Sequence, residues 1–134
     1  MKRVIIESPY EGDIALNEMY CEFCLHDSLV NHGESPYASH LLYTRDHVLR
    51  DHIAEERKLG IEAGFFWRDV AEKTVFYTDL GVTSGMTLGI DDCEKKNKSY
   101  DIRTLPEDIW EKFAMEANIR AVDTPEVVDY EKGK

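Results

Sequence analysis

Basic residues, cysteines and long apolar runs are all scarce in this sequence. Sixteen Lys and Arg stand against 27 Asp and Glu, a formal net charge of −11. Such a charge repels phosphate chains at long range and argues against nucleic acid or an anionic membrane as partner. A small anion held by local N–H groups stays open. No apolar run approaches the roughly 20 residues of a spanning helix. The start, Met1-Lys2-Arg3-Val4-Ile5-Ile6, has no signal-peptide core, so we expect a cytoplasmic protein (in the host cytoplasm if a phage encodes it). Three cysteines without disulfide spacing agree with a reducing compartment. Cys21 and Cys24 fall inside an expected helix with no second pair, and only Cys93 and His40 could complete four ligands, so we read them as small core residues. His47 and His52 are badly spaced for a helical metal pair. We expect neither metal nor cofactor. There is no Walker loop, Ser-His-Asp arrangement, repeat or low-complexity segment.

What is present suffices for one domain: 134 residues, 43% of them hydrophobic. Lys2–Glu7 reads as an apolar strand, ended by Ser8-Pro9-Tyr10 because proline cannot donate to a ladder. Asp13 should cap a helix from about Ile14 to Val30, with Leu16, Met19, Tyr20, Phe23 and Cys24 inside. Asn17, Glu18, Glu22 and Asp27 should face water. Gly33 suits a left-handed cap. Pro36–Ser39 is a short second strand, followed by an apolar loop, His40–Thr44. Ile53–Val70 reads as a long helix burying Ile53, Leu59, Ala63, Phe66 and Val70. Its Gly60 and Gly64 share a face that suggests close packing on the sheet. Thr74–Tyr77 is a third strand, Ser84–Lys96 a helix and Tyr100–Thr104 a fourth strand. Pro106 opens a last helix.

The stretch Thr74–Ile90 is the most informative. A β-branched and aromatic strand feeds a turn marked by Asp79, Gly81 and Gly85, and Thr83 or Ser84 can cap the next helix. Such a junction leaves backbone N–H groups exposed in a positive dipole field. The β-α-β-α-β-α-β-α order predicts a single-domain α/β fold, an open parallel sheet of four to five strands with helices on both faces. The domain should span 1–119, with an acidic tail at 120–134. Ligands of such sheets bind outside the carboxyl ends of the strands.

Several segments carry a resemblance: Ser8-Pro9-Tyr10, Tyr37–Thr44, Glu55-Glu56-Arg57 with Gly60 and Gly64, and Tyr77–Ile90 with Ser84, Gly85 and Gly89. Together they resemble a family of small uncharacterised phage and bacterial proteins, itself similar to the nucleoside 2-deoxyribosyltransferase-like variant of the Rossmann and flavodoxin fold. The resemblance covers about Lys2 to Leu105. It implies a nucleoside or nucleotide at the carboxyl edge and chemistry at an N-glycosidic bond. The transferases carry a glutamate nucleophile after the third strand; here Met86, Thr87 and Leu88 fill those positions, so no covalent glycosyl intermediate can form there.

Around that edge, Ser8, Pro9, Tyr10, Ser39, His40, Tyr43, Arg57, Asp79, Gly81, Ser84, Gly85 and Met86 form the expected ligand set. Asp79 suits ribose hydroxyls or, equally, its own turn. His40 could move a proton near neutral pH or simply be satisfied by backbone. Arg57 could clamp a phosphate, and Glu62 could replace the missing carboxylate. The leading expectation is a protein that binds a nucleotide-like or nucleoside-derived molecule, sequestering a nucleotide signal as a phage anti-defence protein would. An enzyme acting on N-glycosidic bonds, with Asp79 or Glu62 as the carboxylate, is the alternative. An acidic protein-interaction module is a third reading. Phe65, Phe66 and Trp67 put apolar groups on more than one helix face, which suggests a homo-oligomer.

Overall fold

The computed structural model describes the backbone of residues 1–123 and the side chains of residues 1–118. Four strands, β1 (Arg3–Glu7), β2 (Ser35–Tyr37), β3 (Lys73–Tyr77) and β4 (Tyr100–Arg103), alternate with four helices. These are α1 (Ile14–His32), α2 (Ala54–Phe66), α3 (Ser84–Lys95) and α4 (Glu107–Asp123). The sheet is wholly parallel in the order β2-β1-β3-β4. The expected acidic tail thus begins inside α4, and residues 124–134 lie outside the described part.

The strand order reverses direction after β2. The chain steps one way from β1 to β2, then back past β1 to β3 and on to β4. Right-handed crossovers therefore place α1 on one face and α2 and α3 on the other. Burial agrees. Val4, Ile6, Val75 and Tyr77 pack with Leu16, Tyr20, Cys21 and Cys24 of α1 and with Ile109 and Phe113 of α4. Phe76, one residue out of phase, packs with Met86 and Cys93 of α3, as the two-residue period of a strand requires.

Local signals set the helix starts. Asp13 accepts the Leu16 N–H at 3.2 Å, Thr83 accepts the Met86 N–H at 3.2 Å, and Gly33 closes α1 at φ 60°. Two expected solvent-facing residues of α1 are instead buried. Asn17 donates to the carbonyls of Tyr10 and Glu11 at 2.8 and 2.9 Å, tying down the loop after β1. Asp27 accepts from the Tyr77 hydroxyl at 2.7 Å and from Asn31.

The long second helix is shorter than its apolar pattern implies. It ends at Phe66, and Trp67–Asp69 tighten into a 3-10 turn. Leu59, Phe66 and Val70, expected inside, are exposed, Phe66 at 75%. The only fully buried residue of α2 is Gly64. A β-carbon there would lie 3.4 Å from Ser39, and one at Gly60 would lie 3.2 Å from Leu49. The glycine face thus packs on the 39–49 connection rather than on the sheet. That connection holds a 3-10 turn, Ser39–Leu41, and then successive turns. Close approach to the sheet belongs to α3, where a β-carbon at Gly89 would meet the Phe76 ring at 3.0 Å.

Candidate functional site

Because α2 stands off the sheet, a cavity of about 130 Å³ remains between it, the loop after β1, the 39–51 connection and the start of α3. It sits at the carboxyl end of β1. There the crossovers to α1 and from β3 to α3 leave on opposite faces, the topological switch point at which open α/β sheets hold ligands. For scale, a cavity of roughly 150 Å³ holds one benzene ring. The enclosed part therefore takes one ring, and anything larger extends into the mouth.

Eight of the sequence-expected ligand residues line it: Ser8, Tyr10, Ser39, His40, Tyr43, Arg57, Gly85 and Met86. The Tyr10 and His40 rings lie 5.0 Å apart, tilted by 42°. Burial lowers the His40 pKa to about 4. The imidazole is thus neutral near pH 7. Tyr43 accepts a hydrogen bond from the Trp67 indole at 3.0 Å. Arg57 is ion-paired with Glu11, which ties α2 to the loop after β1 across the cavity. One nitrogen of its guanidinium meets that carboxylate, and both side chains are about half exposed. The Ser8 hydroxyl is buried without a hydrogen bond of normal geometry and lies beside the Cys21 thiol of α1, whose pKa burial raises to about 12.

The remaining expected residues do not line the cavity. Pro9 is fully buried. Asp79 is turned into the α1 side of the sheet edge. Its carboxylate accepts from the Tyr20 hydroxyl at 2.7 Å and the Leu105 N–H at 3.0 Å, while its own N–H donates to Tyr20 at 3.0 Å. It fastens the β3 and β4 loops to α1, rather than bonding its own turn or facing a ligand as expected. Gly81 serves the turn at φ 96°, its N–H donating to the Thr78 carbonyl. Ser84 is exposed at the first turn of α3, and Glu62 is exposed on α2.

Glu7 is the residue that sequence reasoning passed over. It ends β1 and lines the cavity with its side chain 15% exposed. Burial pushes its carboxyl up to about 7, against the pull of Arg68. Arg68, only 1% exposed, donates to Glu7 Oε2 at 2.8 Å, to Asp92 Oδ2 at 2.8 Å and to Thr74 Oγ1 at 3.1 Å. Its guanidinium also lies 4.5 Å from the Phe65 ring centroid. One signal was present: a carboxylate closing the apolar run Val4-Ile5-Ile6 must find a partner or a cavity. Nothing local marks Arg68 as that partner. Glu11, Asp51 and Glu56 add further carboxylates to the lining, and Glu56 is paired with Arg50. The lining is therefore acidic, with Arg57 its only Lys or Arg among the described residues.

Among the described residues, no group of three or more His, Cys, Asp or Glu could hold a metal ion, and no helix is long and apolar enough to cross a membrane. Fold and site define an open parallel α/β domain with a small acidic cavity at its switch point. A family model for a domain of unknown function, DUF7768, matches residues 2–103, and the chain belongs to that family. No curated protein and no solved structure matches it.

Proposed function

We propose that the protein binds a nucleoside-derived small molecule in this cavity and holds it without turning it over. The observation that carries the reading is the enclosed, ring-sized space at the switch point, walled by Tyr10, His40, Tyr43 and Phe65 and edged by Gly85 at the N-terminal turn of α3. Aromatic walls suit a flat base or the apolar face of a sugar, and a few polar groups fix its orientation. Binding is favoured over turnover because the two carboxylates expected for N-glycosidic chemistry stand elsewhere, and Glu7, which does border the cavity, is held through Oε2 by Arg68. Glu62 faces solvent, and Asp79 is occupied by Tyr20 and Leu105. Sequestration of a signalling nucleoside derivative is the role such a site would serve.

The test is ligand-observed and protein-observed NMR against nucleosides, nucleotides, cyclic dinucleotides and ADP-ribose, followed by chromatography after long incubation. Shifts confined to the residues around Tyr10, His40 and Gly85, with the ligand recovered intact, are the expected result. Release of free base would move the reading to an N-glycosidic-bond enzyme. Absence of any binding at millimolar concentration would end it.

A further inference from the structure

We propose that Glu7 is the group that recognises the ligand, accepting donors through Oε1 from the hydroxyls of an uncharged ribosyl ring, and that the site selects nucleosides over their phosphates. The inference rests on the nucleoside reading above and deepens it.

The geometry of the carboxyl carries the argument. Oε2 is held by Arg68 at 2.8 Å, and Arg68 is itself fixed by Asp92, Thr74 and the Phe65 ring. Glu7 Oε1 has no hydrogen bond among the described residues, yet its side chain borders the cavity. One oxygen is thus clamped and the other offered, with little rotamer freedom left to lose on binding. A carboxylate oxygen has two lone pairs and no proton to give, so its complement is a pair of donors such as adjacent sugar hydroxyls. The space is ring-sized, which admits a pentose.

Charge decides against phosphate. Glu7, Glu11, Asp51 and Glu56 line the cavity, and Arg57, the only Lys or Arg of its lining among the described residues, is paired with Glu11. A phosphate dianion would have to draw Arg57 from Glu11 and would be repelled by the lining carboxylates in a partly dry space.

The proton balance follows. The charged groups facing Glu7 are Arg68, from the turn after α2, and Asp92 of α3, on the far side of Arg68. Cys21 of α1, Tyr37 of β2 and Cys93 of α3 also feel its charge, and burial raises all three, so none titrates near neutrality. His40 is already neutral above about 4. Glu7, with a pKa of about 7, is partly protonated at pH 6.5. A ligand that bonds only its ionised form must release that proton.

Calorimetry of the full chain with adenosine, guanosine, cytidine and uridine, and with their 5′-monophosphates, tests this. At pH 6.5, in buffers of different ionisation enthalpy, the bound nucleoside should release about 0.8 proton, and affinity should rise about tenfold from pH 6 to pH 8. Each nucleoside that binds should bind at least tenfold tighter than its monophosphate. Glu7→Gln, its fold checked by circular dichroism, should abolish proton release and weaken nucleoside binding tenfold or more. The wild-type pH series stands alone if that variant does not fold. Nucleoside binding without proton release, or a monophosphate bound as tightly, overturns the role of Glu7 and leaves the nucleoside site in place. No binding by either set overturns both.

Discussion

Replacing Arg68 with methionine removes the cation that bridges Glu7 and Asp92 beneath the cavity. Arg68 is 1% exposed and donates to Glu7, Asp92 and Thr74. Methionine fills much of the same space, so the loss is electrostatic rather than a cavity. Removing one partner of a buried ion pair costs about 3–5 kcal/mol when the charge left behind has no compensation; here Asp92 keeps Lys96 at 3.4 Å, and the uncompensated charge is that of Glu7. Domains of this kind have about 5–15 kcal/mol in total, so the variant should fold but melt roughly 10–20 °C lower. The sign of its pH dependence is fixed by Glu7. Its folded pKa, about 7 against an ordinary 4.5, is already raised. Its contribution therefore favours folding below pH 4.5 and is lost as pH rises through 7. Without Arg68 the folded pKa rises further. Arg68→Met should accordingly lose more stability at pH 8 than at pH 6, where Glu7 takes up a proton and the repulsion from Asp92 ends. Adding Glu7→Gln to Arg68→Met should recover part of the loss, a coupling of about 0.5–3 kcal/mol. Denaturant melts followed by circular dichroism at the two pH values read all three quantities. A loss under about 1 kcal/mol, or one equal at both pH values, would refute the view of Arg68 as the compensating charge.

Tyr20→Phe should destabilise the fold by about 2 kcal/mol, since it leaves the Asp79 N–H without its acceptor and the carboxylate one donor short. Nucleoside binding measured by NMR should not change, because neither residue lines the cavity. Glu34 is buried, which opposes its charge, but hydrogen bonds from Arg103 and Ser28 prevail and lower its pKa to about 2. It should contribute about 2 kcal/mol above pH 4.5, lost as pH falls through 2, and Glu34→Gln should flatten that limb of an acid titration. Gly89→Ala should lower the melting temperature although alanine is the better helix former. Its β-carbon would lie 3.0 Å from the Phe76 ring, and overpacking at about 1–3 kcal/mol outweighs a propensity gain of about 1; a raised melting temperature would show that the ring yields.

The order of elements and their faces were legible in the sequence because local chemistry sets them. β-Branched runs made Arg3–Glu7 and Lys73–Tyr77 strands, and Asp13, Thr83 and Gly33 marked helix ends through short-range hydrogen bonds and a left-handed φ. Alternation of strand and helix then implied the parallel sheet, since parallel neighbours need a crossover. The loops after Glu7 and Tyr37 could be placed on one edge by that rule alone, which is why Tyr10 and His40 were expected near each other. The same local rules failed on α2. Its apolar residues have helical spacing, but spacing does not say which stripe meets a neighbour. The glycine stripe met the 39–49 connection, and Leu59 and Phe66 were left outside.

What the sequence determined by itself is therefore what depends on neighbours within a few residues: element type, caps, turns and the parallel arrangement they force. What only the tertiary structure decided is the partner of each buried charge. Asp79, Asp27, Glu7 and Arg68 are polar residues of ordinary appearance, and each is satisfied by a group 24 or more positions away. Desolvation makes such pairing compulsory, but chain distance leaves no periodicity to announce it. That is why Asp79 is a fastening for the sheet edge and Glu7 an Arg68-held carboxylate at the cavity.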